Sequence, residues 1–70
     1  MKFKYYSDTD SLYIDLSEKK SVNSKEISPG VVVDFDAKGQ LVGIDIDHAS
    51  QHVNLATLKT EGVPISSTIK

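Results

Sequence analysis

The stretch VVVDFDAKGQLVGIDID, Val31 to Asp47, alternates apolar and acidic residues on both sides of a glycine-bearing break. A period of two sends successive side chains to opposite faces of a strand, so the segment reads as a β-hairpin with one apolar face. Its register can be tested against the pattern. Centring the turn on Lys38-Gly39 pairs Phe35 with Val42, Val33 with Ile44 and Val31 with Ile46, and sends Asp34, Asp36, Asp45 and Asp47 to the other face. A three-residue loop with Gly39 as a bulge slips the register by one. It sets Asp34 against Val42 and Val31 against Asp45. The pattern selects the first register.

The same residues nearly spell a calcium loop. Asp34 and Asp36 fall at the first and third positions, Gly39 at the sixth, Leu41 at the eighth and Asp45 at the twelfth. Calcium takes six to eight oxygens, with a bidentate Glu closing the loop between two helices. Here Lys38 stands where a ligand belongs, Asp45 has a shorter arm than Glu, and strand patterns flank the loop. An acid-rich hairpin explains the stretch, and no metal or other cofactor is expected.

A second hairpin precedes it. In KFKYYSDTDSLYIDL a polar turn at Ser7–Asp10 sets Tyr5 opposite Leu12, Phe3 opposite Ile14 and Met1 opposite Leu16. The other face pairs Tyr6 with Ser11, Lys4 with Tyr13 and Lys2 with Asp15, an apolar row backed by a polar one. Between the hairpins SEKKSVNS has no periodicity and reads as a loop from Ser17 to about Ser24. KEISPG brings the chain back, with Pro29 lacking a donor and Gly30 permitting a turn or bulge. After Asp47 the spacing of Ala49, Val53 and Ala56, with Leu55 and Leu58, predicts a short helix. Asp47 or Ser50 would cap it, or Asn54 would cap a second short turn, and Gly62 with Pro64 would end it.

These elements predict an α+β domain: a four-stranded antiparallel meander of two hairpins, one face covered by a short C-terminal helix. The domain would span residues 1–62, with 63–70 an edge strand or frayed tail. At 70 residues such a core supplies only about 3–5 kcal/mol without a staple. With no Cys to form one, and few apolar helix residues to cover the sheet, a homo-oligomer, most simply a dimer, is expected.

The missing thiols exclude Cys-based zinc, iron–sulfur and nucleophile chemistry. A net charge of -2, from 8 basic and 10 acidic residues scattered along the chain, argues against direct nucleic-acid binding. No run approaches the roughly 20 apolar residues of a membrane helix. A cytoplasmic protein without membrane attachment is therefore expected.

The runs YYSDTDSLYIDL and KEISPGVVVDFDAKGQLVGIDIDHAS together resemble a small bacterial family, domain of unknown function 2283. The resemblance rests on Leu12-Tyr13-Ile14, Pro29 through Val33, Asp36 with Gly39, Gly43 through Ile46, and Ala49-Ser50. It covers roughly residues 3 to 50. The family commonly has Glu after Gly-Ile, where this chain has Asp45. No activity follows from the resemblance, but relatives encoded beside small toxin-like proteins carry the expectation of an antitoxin role.

No nucleophile elbow or phosphate loop is present, and so small a sheet leaves little room for a ligand-burying pocket, so no enzyme is expected. His48 and His52 stand four apart and, with Asp45 or Asp47, would suit zinc on a helix that began early enough. Without the Glu of a metalloprotease motif they read as surface imidazoles. Tyr6, Tyr13, Asp15, Asp34, Asp45 and Asp47 remain as partner-binding candidates on the polar faces. Exposed Tyr is an interface residue, and a carboxylate row suits a small basic protein. Equally, Tyr covers an outer sheet face, and exposed carboxylates keep sheet edges apart.

Overall fold

The structure, a computed structural model, describes residues 1–57 and the backbone of 66–69. Five strands run in chain order: β1 (Lys2–Tyr6), β2 (Ser11–Asp15), β3 (Asn23–Ser28), β4 (Val31–Phe35) and β5 (Leu41–Ile46). One helical turn, α1 (Ala49–His52), a 3-10 turn at Leu55–Thr57 and a last strand, β6 (Ser66–Ile69), follow. The strands lie side by side as β3-β4-β5-β2-β1-β6. The first five are antiparallel throughout, and β6 adds parallel to β1 at one edge. The domain boundary expected at residue 62, and the helix stop at Gly62 and Pro64, lie outside the described residues.

The first hairpin has the register the alternation predicts, from Lys2 opposite Asp15 to Tyr6 opposite Ser11. In the second, Val31 pairs with Ile46 and Val33 with Ile44 as expected, but Phe35 pairs with Leu41 rather than Val42. The expected two-residue turn is corrected. The Asp36 amide donates to the Gln40 carbonyl, and Gly39 takes φ 77 in the left-handed region, so the loop is Ala37-Lys38-Gly39. A bulge next to Phe35 then absorbs the one-residue slip that this loop creates. The turn chemistry and the face pattern demanded different registers, and the bulge satisfies both.

The expected meander is also corrected. β3 spans the end of the expected loop, Asn23-Ser24, and the returning segment Lys25–Ser28; it has no apolar alternation, and all six of its residues are exposed. It pairs with β4 through a register shift between Glu26 and Ser28. This additional strand reverses the direction of both later ones. β4 now runs parallel to β2, and the antiparallel neighbour available to β2 is β5.

The predicted helix proves to be one turn. Val53 leaves helical geometry at φ -129, ψ 136, and the chain restarts at Asn54, whose carbonyl accepts from the Thr57 amide. Neither Asp47 nor Ser50 caps α1. The N-cap residue is His48, in the left-handed region, with no side-chain cap. So short a helix cannot sustain itself by propagation and must be held by its surroundings. One side of it is apolar: Ala49 joins Phe3 and Leu12 in the buried cluster, with Tyr5, Ile14, Ile46, Val53 and Leu55 packed around them. Leu12, 1% exposed, is the one large side chain among the described residues that is fully buried. Among the described residues no helix is long and apolar enough to cross a membrane.

Candidate functional site

On the outer face of the sheet, β2, β5 and β4 bring three sequence-predicted residues together. Tyr13 sits opposite Asp45 of β5, yet its phenol reaches across that strand to β4, donating to Asp34 Oδ2 at 2.9 Å. The route passes over Gly43, which pairs with Asp15 on one side and Asp34 on the other. A Cβ at Gly43 would lie 2.6 Å from the Tyr13 Cζ, so the ring occupies the space a side chain would take. From the far side, the Ser24 hydroxyl of β3 donates to Asp34 Oδ1 at 2.7 Å. Asp34 thus accepts one hydrogen bond on each oxygen, from strands on both sides.

The electrostatics follow from this crowding. Burial, then the Asp34 hydrogen bond and the nearby charges of Asp34, Asp15 and Asp45, push the Tyr13 phenol up to about 12. Asp45 is half-buried. Burial first, then the charges of Asp47 and Asp34, raise its carboxyl above the ordinary value. Lys4 stands opposite Tyr13 on β1, and Lys2 opposite Asp15, one strand further from Asp34 than either partner.

Two of the four aspartates expected on this face lie beyond the ends of its strands. Asp36 lies beyond the end of β4, buried in the turn, where its Oδ1 accepts from the Lys38 and Gln40 amides at 2.9 Å each. That closes the loop from within, which is the usual work of an Asp at a turn start. Asp47 lies past β5, its amide bonded to the Gly30 carbonyl, and is exposed. Tyr6 stands at the end of β1, 48% exposed. His48 and His52 line one open concavity with Glu26, Pro29, Asp47 and Gln51, but His48 precedes the helix, which does not begin early enough to carry both rings on one face. Among the described residues no group of three His, Asp or Glu could hold a metal ion.

A second cluster escaped the sequence reading. Asp10, in the first hairpin turn with φ 53, reaches the start of α1, 40 positions away. Its carbonyl accepts from the Ala49 amide at 2.8 Å, its Oδ1 from the Ser50 amide at 3.1 Å, and its Oδ2 from the Ser50 hydroxyl at 2.7 Å. Tyr5 donates its phenol to the same Oδ1 at 2.6 Å. A residue outside the helix therefore does the N-cap's work. These bonds, Tyr5 foremost and then Ser50, hold the Asp10 carboxyl below its ordinary value, and the same contact raises the Tyr5 phenol. The positive-φ tolerance of Asp was the available signal. Its partner forty residues on was not readable.

Sheet, minimal helix and a polar outer face define a small α+β domain whose clusters, among the described residues, are built on hydrogen-bonded carboxylates. The model of the family described as protein of unknown function (DUF2283) matches residues 2–50, and the chain belongs to that family. No curated protein and no solved structure matches it.

Proposed function

We propose that the protein is an interaction module that self-associates and carries out no chemistry of its own. The observation behind this reading is the thinness of the core. Among the described residues Leu12 alone of the large side chains is fully buried, while Met1, Tyr6, Val22, Ile27 and Leu41 are exposed. A domain of this size with so little burial gains stability from mass action when a second copy binds the native state. β3 offers one route, since it ends the sheet and, among the described residues, leaves one backbone edge unpaired. Sedimentation equilibrium at micromolar concentration should give more than the 7.7 kDa monomer, with a melting temperature that rises with concentration. A monomer throughout, melting at one temperature, refutes the reading.

A second reading is supported by the raised Asp45 carboxyl. Ionised Asp34, Asp45 and Asp47 repel one another, and a small basic protein laid over Tyr13, Asp15 and these aspartates would relieve that repulsion. This is an antitoxin-like role, with Tyr6 at the rim. Pull-down and co-expression of the neighbouring gene product test it. No binding and no detoxification would remove its support. Metal binding is the least supported reading, because the carboxylate of Asp36, the central calcium candidate, is engaged by two turn amides.

A further inference from the structure

At the end of the sheet away from α1, the β2–β3 loop and the β4–β5 turn stand side by side. The loop is pinned at both ends: the Leu16 amide donates to Val42 and the Val22 amide to Phe35, each at 2.9 Å. Between loop and turn lies an open cavity of about 430 Å³ lined by Lys19, Lys20, Val22, Asp36, Ala37 and Lys38. Val22 is 58% exposed there. Three lysines and one aspartate border the cavity, whose walls are mostly apolar, and the Asp36 carboxylate already accepts two amides. The local charge is positive in a chain whose net charge is -2.

We propose that this cavity docks an acidic peptide segment carrying one or two bulky apolar side chains, the apolar groups against Val22 and Ala37 and the carboxylates against Lys19, Lys20 and Lys38. Size fits one or two side chains. Charge complementarity selects an anion, and the pinned loop holds the lysines near the site before binding, which lowers the ordering cost. Nucleic acid suits the cavity less, because no aromatic ring lines it to stack a base. A membrane suits it less, because the site is concave and the acidic chain as a whole is repelled by an anionic leaflet. This surface is separate from the outer-face carboxylates and shares only Val22 with the exposed apolar residues behind the self-association reading.

The test is fluorescence anisotropy on the full chain with a labelled peptide in which a Leu-Phe pair is flanked by glutamates. Saturable binding is expected, with amide NMR shifts confined to residues 17–22 and 36–40. Lys19→Glu with Lys38→Glu should weaken it about tenfold, as should raising the salt well above physiological strength. Val22→Ser should weaken it severalfold by removing apolar contact. Circular dichroism confirms that each variant is folded, and Lys19→Gln serves where charge reversal unfolds the chain. Several results would overturn the proposal: no saturation, equal binding of a peptide with serines for Leu-Phe, or shifts mapping elsewhere. Binding to anionic vesicles without peptide binding would overturn it too, as would loss of self-association in the charge-reversed variant with no peptide binding.

Discussion

Gly43→Ala isolates the contact on which the outer face depends. The backbone at Gly43 is not left-handed, so alanine meets no torsional penalty, and in an open strand it would gain about 0.5–1 kcal/mol over glycine. Here the new methyl would sit 2.6 Å from Tyr13 Cζ and 3.2 Å from Cε1. The ring must swing out. Overpacking of this kind costs about 1–3 kcal/mol, and losing the partly exposed Tyr13–Asp34 bond adds about 1 kcal/mol. The net destabilisation is about 1–3 kcal/mol, a fall in melting temperature of roughly 5–20 °C for a domain this small. Urea and thermal unfolding followed by circular dichroism measure it. The decisive arm is a double-mutant cycle. In a Tyr13→Ala background the obstruction is gone, and Gly43→Ala should become neutral or stabilising, a coupling of about 2 kcal/mol. A Gly43→Ala protein melting at or above the wild type refutes the reasoning, as does a penalty that persists undiminished without the ring.

Three further outcomes follow from the same geometry. Tyr13, at about 12 against an unfolded 10.0, stabilises the fold fully below pH 10 and loses that contribution as pH rises through its folded value. Phenolate absorbance should therefore show a late ionisation that Tyr13→Phe abolishes. Asp45 has its folded carboxyl raised above the ordinary 3.8, so its ionisation destabilises the native state at neutral pH. Asp45→Asn should stabilise at pH 7, with the gain vanishing below the unfolded value, measured by urea titration at both ends. Asp10 is shifted the opposite way, lowered from 3.8, so its contribution is present above the unfolded value and lost as pH falls through the folded one. Asp10→Asn keeps the positive-φ tolerance but removes the charge, and hydrogen exchange at the Ser50 amide should accelerate at neutral pH while the β2 amides stay protected.

How much of this was legible can be argued strand by strand. β1, β2, β4 and β5 were readable because each buries one face, and a period-two pattern then specifies register. β3 was not, because a strand exposed on both faces carries no alternation: Asn23, Ser24, Lys25 and Glu26 are chosen for solvent, not for a core. α1 was readable as a place where apolar spacing changes, but its length was not. Its start is held by Asp10, and no local pattern in residues 47–60 records a cap arriving from the first hairpin.

The unread strand is also what builds the outer face. In a four-stranded meander β2 would lie against β4, and Tyr13 would meet that strand directly with no glycine between them. Adding β3 reverses β4 and β5, brings β5 beside β2, and places Gly43 in the path between Tyr13 and Asp34. Only a residue without a side chain lets the phenol cross. β3 then supplies Ser24 to the second oxygen of Asp34. The candidate residues Tyr13, Asp15, Asp34 and Asp45 were individually visible as polar positions in alternating strands. Their convergence around one glycine depends on strand order, and strand order turned on a segment of six exposed residues whose own sequence gave no reason to pair.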